Sequence, residues 1–67
     1  MRMISVYSSN IRSIGYENGI LYVRFIRGGL YSYSGVPLNE FNALMNASSK
    51  GSYFAHHIKS FYPCIKC

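Results

Sequence analysis

The feature that most constrains this chain is the Asn18-Gly19 pair, which lies between two segments that alternate apolar and polar residues. Both residues of an Asn-Gly pair tolerate positive φ, which a type I′ turn requires in a two-residue β-hairpin. Counting outward from the turn opposes Tyr16 to Leu21 and Ile14 to Val23. The sequence therefore predicts a hairpin with a defined register.

Gly28-Gly29 repeats the turn signal before another strand-like segment. If this turn is also a two-residue loop, Arg24 lies opposite Tyr33 and Ile26 lies opposite Tyr31. Ile4–Tyr7 predicts a further short strand at the edge of the sheet. These segments together predict an antiparallel meander of three or four strands.

The two faces of this predicted sheet differ in chemistry. One face is apolar and carries Ile14, Tyr16, Leu21, Val23, Phe25 and Leu30. The other face is aromatic and basic and carries Ser13, Gly15, Tyr22, Arg24, Ile26, Tyr31 and Tyr33. Rings beside an arginine are typical of surfaces that hold single-stranded nucleic acid or nucleotides. Tyrosine is also common beneath helices and in dimer interfaces, so three uses of this face stay open.

Two short helices are predicted after Pro37, which ends the sheet and suits the first turn of a helix. Apolar residues at helical spacing define them: Leu38, Phe41, Leu44 and Met45 in the first, and Tyr53, Phe54, Ile58 and Phe61 in the second. Pro63 ends the second helix. The predicted fold is thus a single α+β domain over residues 1–67, a meander followed by two helices, with 63–67 as a loose tail.

Composition narrows the function. A chain of 67 residues can build only a core of marginal stability, which raises the expectation of a homo-oligomer. A net charge of +5 favours anionic partners, although it also serves solubility. With no Asp and only two Glu, paired-carboxylate catalysis and oxygen-rich metal cages are not expected. No apolar run is long enough to span a membrane or direct export, so a cytoplasmic location is expected.

Three local motifs bear on the chemistry that the chain can perform. Ser48–Ser52 contains hydroxyls and Lys50 ahead of a helix, which suits a phosphate, or else forms an ordinary serine-capped connection. His57 lies four residues after Tyr53 and near Lys59, a set that can support metal-free nuclease chemistry, but no second acid-base partner is evident. Cys64-x-x-Cys67 has the spacing of one cysteine pair of a zinc site, which is half of the four ligands that such a site needs. We expect two free thiols and no metal or cofactor.

The chain resembles the KTSC domain, a family named for the C-terminus of some lysyl-tRNA synthetases. The resemblance runs from about residue 5 to residue 62. It is carried by Val6-Tyr7-Ser8-Ser9-Asn10-Ile11, Ile14-Gly15-Tyr16, Leu21-x-Val23-x-Phe25, Gly29-x-Tyr31-x-Tyr33, Val36-Pro37, Leu44, Ala47, Ser49-Lys50-Gly51-x-Tyr53-Phe54 and His57-Ile58-Lys59. Ala55 departs from the pattern, in which an amide usually follows Tyr-Phe. The synthetase association implies RNA by analogy only.

The sequence therefore predicts a non-catalytic module that binds RNA or a phosphate-bearing nucleotide. A stand-alone chain of phage-like size is also suited to sequestering a signalling nucleotide as a homo-oligomer. The candidate ligand-binding residues are Ser9, Asn10, Arg24, Tyr31, Tyr33, Lys50, Tyr53, His57 and Lys59. A protein-interaction or oligomerisation module is the alternative, followed by a small metal-independent nuclease.

Overall fold

The computed structural model describes residues 1–67, and in it the first hairpin forms as predicted from the sequence. Asn18 and Gly19 have φ of 55° and 76°, as a type I′ turn requires. The elements are β1 (Ile4–Ser5), β2 (Ile11–Glu17), β3 (Ile20–Phe25), β4 (Gly29–Ser34), α1 (Leu38–Asn46), α2 (Lys50–His57) and β5 (Cys64–Lys66). The five strands form one antiparallel sheet in the order β1-β2-β3-β4-β5. The predicted α+β class is confirmed, and Tyr16–Leu21 and Ile14–Val23 pair in the predicted register.

The second hairpin differs from the prediction by a change of loop length. Its loop has three residues, 26–28, and Phe25 pairs with Gly29, whose φ of 83° closes the turn. Consequently Val23 lies opposite Tyr31 and Leu21 lies opposite Tyr33, in place of the predicted Arg24–Tyr33 and Ile26–Tyr31 pairs. An odd shift turns every side chain of β4 to the other face.

This shift changes the composition of both faces of the sheet. Tyr31 and Tyr33 join Leu21 and Val23 on the inner face, under the helices, whereas Leu30 moves to the outer face opposite Arg24. The predicted aromatic and basic face therefore does not exist as a unit. Tyr33 is buried in the core, where only 4% of its surface is exposed.

The core lies between the inner face of the sheet and the two helices. Its buried residues are Ile11, Ile14, Leu21, Val23, Tyr33, Val36, Leu44, Phe54 and Ile58. A register shift between Ile11 and Ser13 marks a β-bulge in β2, which lets Ile11 and Ile14 both reach the core. Each helix packs on aromatic residues of the sheet: Phe41 of α1 stacks on Tyr16, and Phe54 of α2 packs edge-on against both Phe25 and Tyr33.

The end of the chain corrects two further predictions. Residues 63–67 are not a loose tail, because Cys64–Lys66 pairs with β4 as a fifth strand and the Cys67 N–H donates to the Leu30 carbonyl at 2.8 Å. Helix α2 ends at His57, so Phe61 lies beyond it and is 67% exposed rather than packed. Neither helix has the length and hydropathy needed to cross a membrane.

Candidate functional site: a polar groove at the start of α2

The first turn of α2 lies beside the loop between β1 and β2. A Cβ atom on residue 51 would lie 2.5 Å from Oδ1 of Asn10 and 3.4 Å from Oγ of Ser8, so only glycine permits this approach. The loop is itself ordered by hydrogen bonds, because Oγ of Ser8 accepts from the N–H of Ile11 at 3.2 Å and donates to Oδ1 of Asn10 at 3.0 Å. Two segments some forty residues apart in the sequence are thereby held together.

An open groove of about 690 Å³ lies where these segments meet. Its walls are Tyr7, Ser8, Ser9 and Asn10 on one side and Ser48, Ser49, Lys50, Gly51 and Ser52 on the other. Tyr7 is its only aromatic residue, and this ring is fully exposed. The groove therefore offers hydroxyls, one amide, one ammonium group and an accessible ring.

The groove is rich in hydrogen-bond donors. Ser49 caps α2 by accepting from the N–H of Ser52 at 3.4 Å, while the N–H groups of Lys50 and Gly51 have no acceptor within the helix. Nζ of Lys50 donates to the Ala47 carbonyl at 3.1 Å, which uses one of its three protons. Lys50 thus also satisfies a carbonyl at the end of α1.

Both carboxylate side chains of the protein lie outside the groove. Glu17 lies at the first hairpin, with its Oε1 3.8 Å from the amino group of Met1. Glu40 on α1 accepts hydrogen bonds from the hydroxyls of Tyr53 and Tyr62. No negative side chain therefore opposes an anion in the groove.

Glu40 contributes to a raised pKa in both of the tyrosines that donate to it. The hydrogen bond to Glu40, with burial and the nearby negative charge, raises the pKa of Tyr53 to about 12. Burial, followed by the Glu40 charge, raises the pKa of Tyr62. The ring of Tyr53 also stacks on His57, with centroids 4.4 Å apart. The Tyr53 hydroxyl is thus committed to holding α2 against α1.

The structure divides the predicted site residues among four depressions. Ser9, Asn10 and Lys50 line the groove, and Ser9 and Asn10 also line a smaller depression beside Arg27. A second pocket, of about 440 Å³, is lined by Tyr31, Tyr33 and Lys59 together with Phe25 and Phe54. Asn10 lines both this pocket and the groove. Tyr53 and His57 line another depression, which shares Ser48, Ser49 and Ser52 with the groove. Arg24 is exposed on the outer face of the sheet and lines none of them.

Sequence reasoning missed Tyr7 and Ser8 as groove residues. The available signal was Gly51 at the first turn of a helix, where glycine is unfavourable unless another segment approaches closely. A glycine at this position indicates that another segment approaches residue 51 closely, but it does not indicate which segment. No group of three or more His, Cys, Asp or Glu side chains lies close enough to hold a metal ion.

Comparison with known proteins gives one consistent result. The family model of the KTSC domain matches residues 7–62. An uncharacterized protein of Stutzerimonas stutzeri (strain A1501) is 43% identical over 56 residues, covering 81% of this chain and 79% of that protein. The crystal structure of a KTSC domain protein from Yersinia pestis superposes with a TM-score of 0.97 at 40% identity, covering 98% of this chain and 96% of that one.

Proposed function

Because this chain belongs to the KTSC domain family, we propose that it is a binding module for RNA or another phosphate-bearing nucleotide and that the polar groove receives the ligand. One observation carries the proposal. Two segments that carry the family resemblance, Ser8-Ser9-Asn10 and Ser49-Lys50-Gly51, form opposite walls of one groove that contains a cation and no carboxylate. We expect this module to act in the cytoplasm without catalysing a reaction.

The groove suits a phosphate group for three physical reasons. The N–H groups that begin α2 point outward from the helix, and the helix dipole adds partial positive charge at that end. Lys50 supplies a full positive charge. The net charge of +5 raises the local concentration of anions around the whole molecule.

The position of Tyr7 favours a nucleotide over inorganic phosphate as the ligand of the groove. Its ring stands fully exposed at the groove, where a base attached to the bound phosphate can stack on it. A base stacked on an aromatic ring contributes about 1 to 3 kcal/mol. The stacking role expected for Tyr33 does not fit its burial, so Tyr7 replaces it in the proposal.

The test is a titration of single-stranded RNA and a panel of nucleotides at low and moderate salt. We expect binding that weakens with salt, and a loss of affinity of about 5- to 150-fold for Tyr7→Ala. Phe61→Ala is the matched control, because it removes an exposed ring that does not line the groove. Lys50→Gln is compared with Arg24→Gln, which changes the net charge equally at a site outside the groove.

Equal losses from Lys50→Gln and Arg24→Gln would mean that only overall charge matters, and unchanged affinity for Tyr7→Ala would remove the stacking role. Incubation of the RNA with the protein, followed by gel analysis, separates binding from cleavage. RNA fragments that disappear with His57→Ala would favour the nuclease alternative over a binding module.

Self-association is a second candidate, supported by the outer face of the sheet. Both helices pack on the inner face, so Tyr22, Leu30 and Ile65 lie on a face that no helix covers. Ile65 is 66% exposed. Sedimentation of the wild type and of Ile65→Lys tests this candidate. A monomer at all concentrations would contradict it, whereas a dimer dissociated by the substitution would support it.

A further inference from the structure

Cys64 begins β5 and Cys67 directly follows its last residue, and this placement is incompatible with a disulfide while the strand is paired. Both thiols are free and exposed. Residues rise about 3.3 Å each along a strand, so the Cα atoms of Cys64 and Cys67 are about 10 Å apart. Disulfides require Cα atoms within about 7 Å. We propose that Cys64 and Cys67 form a reversible redox modification site, at which oxidation to a disulfide releases the end of β5 from β4.

The oxidant is a low-molecular-weight disulfide. The thiolate of one cysteine attacks it, forms a mixed disulfide and releases one small thiol. The second cysteine thiolate then attacks the protein sulfur of the mixed disulfide, closes the Cys64–Cys67 bond and releases a second small thiol. Two electrons pass from the cysteines to the oxidant, and the two cysteine protons end on the released thiols. Exposure of both side chains gives the oxidant access.

The structure defines which contacts this step removes. Closing the disulfide requires residues 64–67 to turn, so the Cys67 N–H leaves the Leu30 carbonyl and Lys66 leaves Tyr31. The hydrogen bond from the Ser34 N–H to the Pro63 carbonyl precedes the cysteines and is retained. Release of β5 therefore begins at Cys64 and exposes the backbone edge of β4.

The second pocket is the part of the molecule that changes. Cys64 lies opposite Tyr33 in the sheet and lines this pocket beside Tyr31 and Lys59. Lys66 lies opposite Tyr31, and its Cε would be 3.8 Å from a Cβ atom on residue 29. Turning residues 64–67 withdraws one wall of the pocket and uncovers the edge of Tyr31. Oxidation thereby alters the aromatic pocket while leaving the groove at the start of α2 intact.

Pairing of β5 also opposes the oxidation. Only the dithiol form can make the hydrogen bonds to β4, so folding favours the dithiol over the disulfide. Loss of one or two backbone hydrogen bonds corresponds to roughly a ten-fold change in an equilibrium constant. The disulfide is therefore easier to reduce in the folded chain than in a peptide of the same local sequence.

The test equilibrates the full-length protein with mixtures of reduced and oxidised glutathione. A peptide of residues 60–67 serves as the unpaired reference. Mass spectrometry after acid quenching counts the intramolecular disulfide by its loss of about 2 Da. We expect an oxidation constant about ten-fold lower for the protein than for the peptide. Amide NMR signals of Leu30, Tyr31 and Ser32 should shift on oxidation, while those of Asn18 and Gly19 stay in place.

Cys64→Ser and Cys67→Ser are the controls, because neither can close the ring and neither should show the shifts in β4. Equal oxidation constants for protein and peptide would overturn the proposal. So would an intramolecular disulfide that leaves the β4 signals unchanged, or the formation of only mixed and intermolecular disulfides.

Discussion

The two parts of α2 perform different tasks with opposite kinds of side chain. Its second half faces the sheet, where Phe54 is buried in the core together with Ile58, the residue directly after the helix. Its first turn faces the loop of Ser8–Asn10 and presents serines, a lysine and free N–H groups to an open groove. The apolar part stabilises the fold, whereas the polar part keeps its donors available. Substitutions along this one helix of eight residues therefore test the stability of the fold and the proposed binding separately.

The largest effect is expected from Phe54→Ala in the apolar part. The ring of Phe54 is 3% exposed and packs edge-on against Phe25 and Tyr33. Removing it leaves a cavity and should lower the free energy of unfolding by about 3 to 5 kcal/mol, which urea denaturation measures. Phe61→Ala removes a ring of the same size that is 67% exposed, and should cost less than about 1 kcal/mol. Similar losses for the two variants would contradict the packing described for α2.

Gly51→Ala tests the close approach between α2 and the loop. Alanine in place of glycine ordinarily stabilises a helix by about 1 kcal/mol. Here the new Cβ would meet Oδ1 of Asn10 at 2.5 Å, so we expect a net loss of about 1 kcal/mol instead. In an Asn10→Ala background the obstructing atom is absent, and the same substitution should become stabilising. A stabilising Gly51→Ala in the wild type would show that the loop does not touch the helix there.

Ser49→Ala tests the cap at the polar end of the helix. Its hydroxyl accepts from the N–H of Ser52, and loss of such a cap costs about 0.5 to 1 kcal/mol. The neighbouring Ser48 is exposed and does not cap the helix, so Ser48→Ala should change the free energy of unfolding by less than about 0.5 kcal/mol. Denaturant titrations of both variants, run side by side, measure the difference.

The last effect is electrostatic and leaves the free energy of unfolding unchanged at neutral pH. It arises from the ionisation of two tyrosines, Tyr33 in the core and Tyr53 on α2. Burial raises the pKa of Tyr33 to about 12, whereas the hydrogen bond to Glu40 is the main cause that raises the pKa of Tyr53 to about 12. An unfolded tyrosine titrates near pH 10. Both groups therefore contribute stability that is fully present below about pH 10 and is lost between about pH 10 and 12.

Urea unfolding at a series of alkaline pH values measures this loss. We expect the free energy of unfolding to decline from about pH 10 upward, and to decline less steeply in Tyr53→Phe. The substitution removes the ionisable hydroxyl and retains the ring that stacks on His57. An identical pH dependence in wild type and variant would show that the Tyr53–Glu40 hydrogen bond does not hold in solution.

The two hairpins show what the sequence could and could not predict about the fold. Asn18-Gly19 specifies both the turn type and the loop length, so the register of β2 and β3 follows from it. Gly28-Gly29 signals a turn without specifying its length, because only Gly29 takes positive φ and the loop is 26–28. The resulting odd shift reversed the predicted faces of Tyr31 and Tyr33.

The candidate site was predictable in its parts and not in its assembly. The serine-rich start of α2 is visible as a local motif, and Ser9 and Asn10 are candidates from the family resemblance. Their meeting depends on where α2 packs on the sheet, which is a long-range contact that no local pattern specifies. The fifth strand was missed for the same reason, since Pro63 reads as a terminator and Cys64–Lys66 becomes a strand only beside β4.

The most direct test of the central claim is an NMR titration of the labelled protein with a single-stranded RNA of about six nucleotides. The account predicts that the largest shifts fall on the amides of Ser9, Asn10, Lys50 and Gly51, which face the groove, with signals of Arg24 and Ile65 unchanged. Shifts centred on Arg24 and Ile65, or none at any RNA concentration, would contradict it.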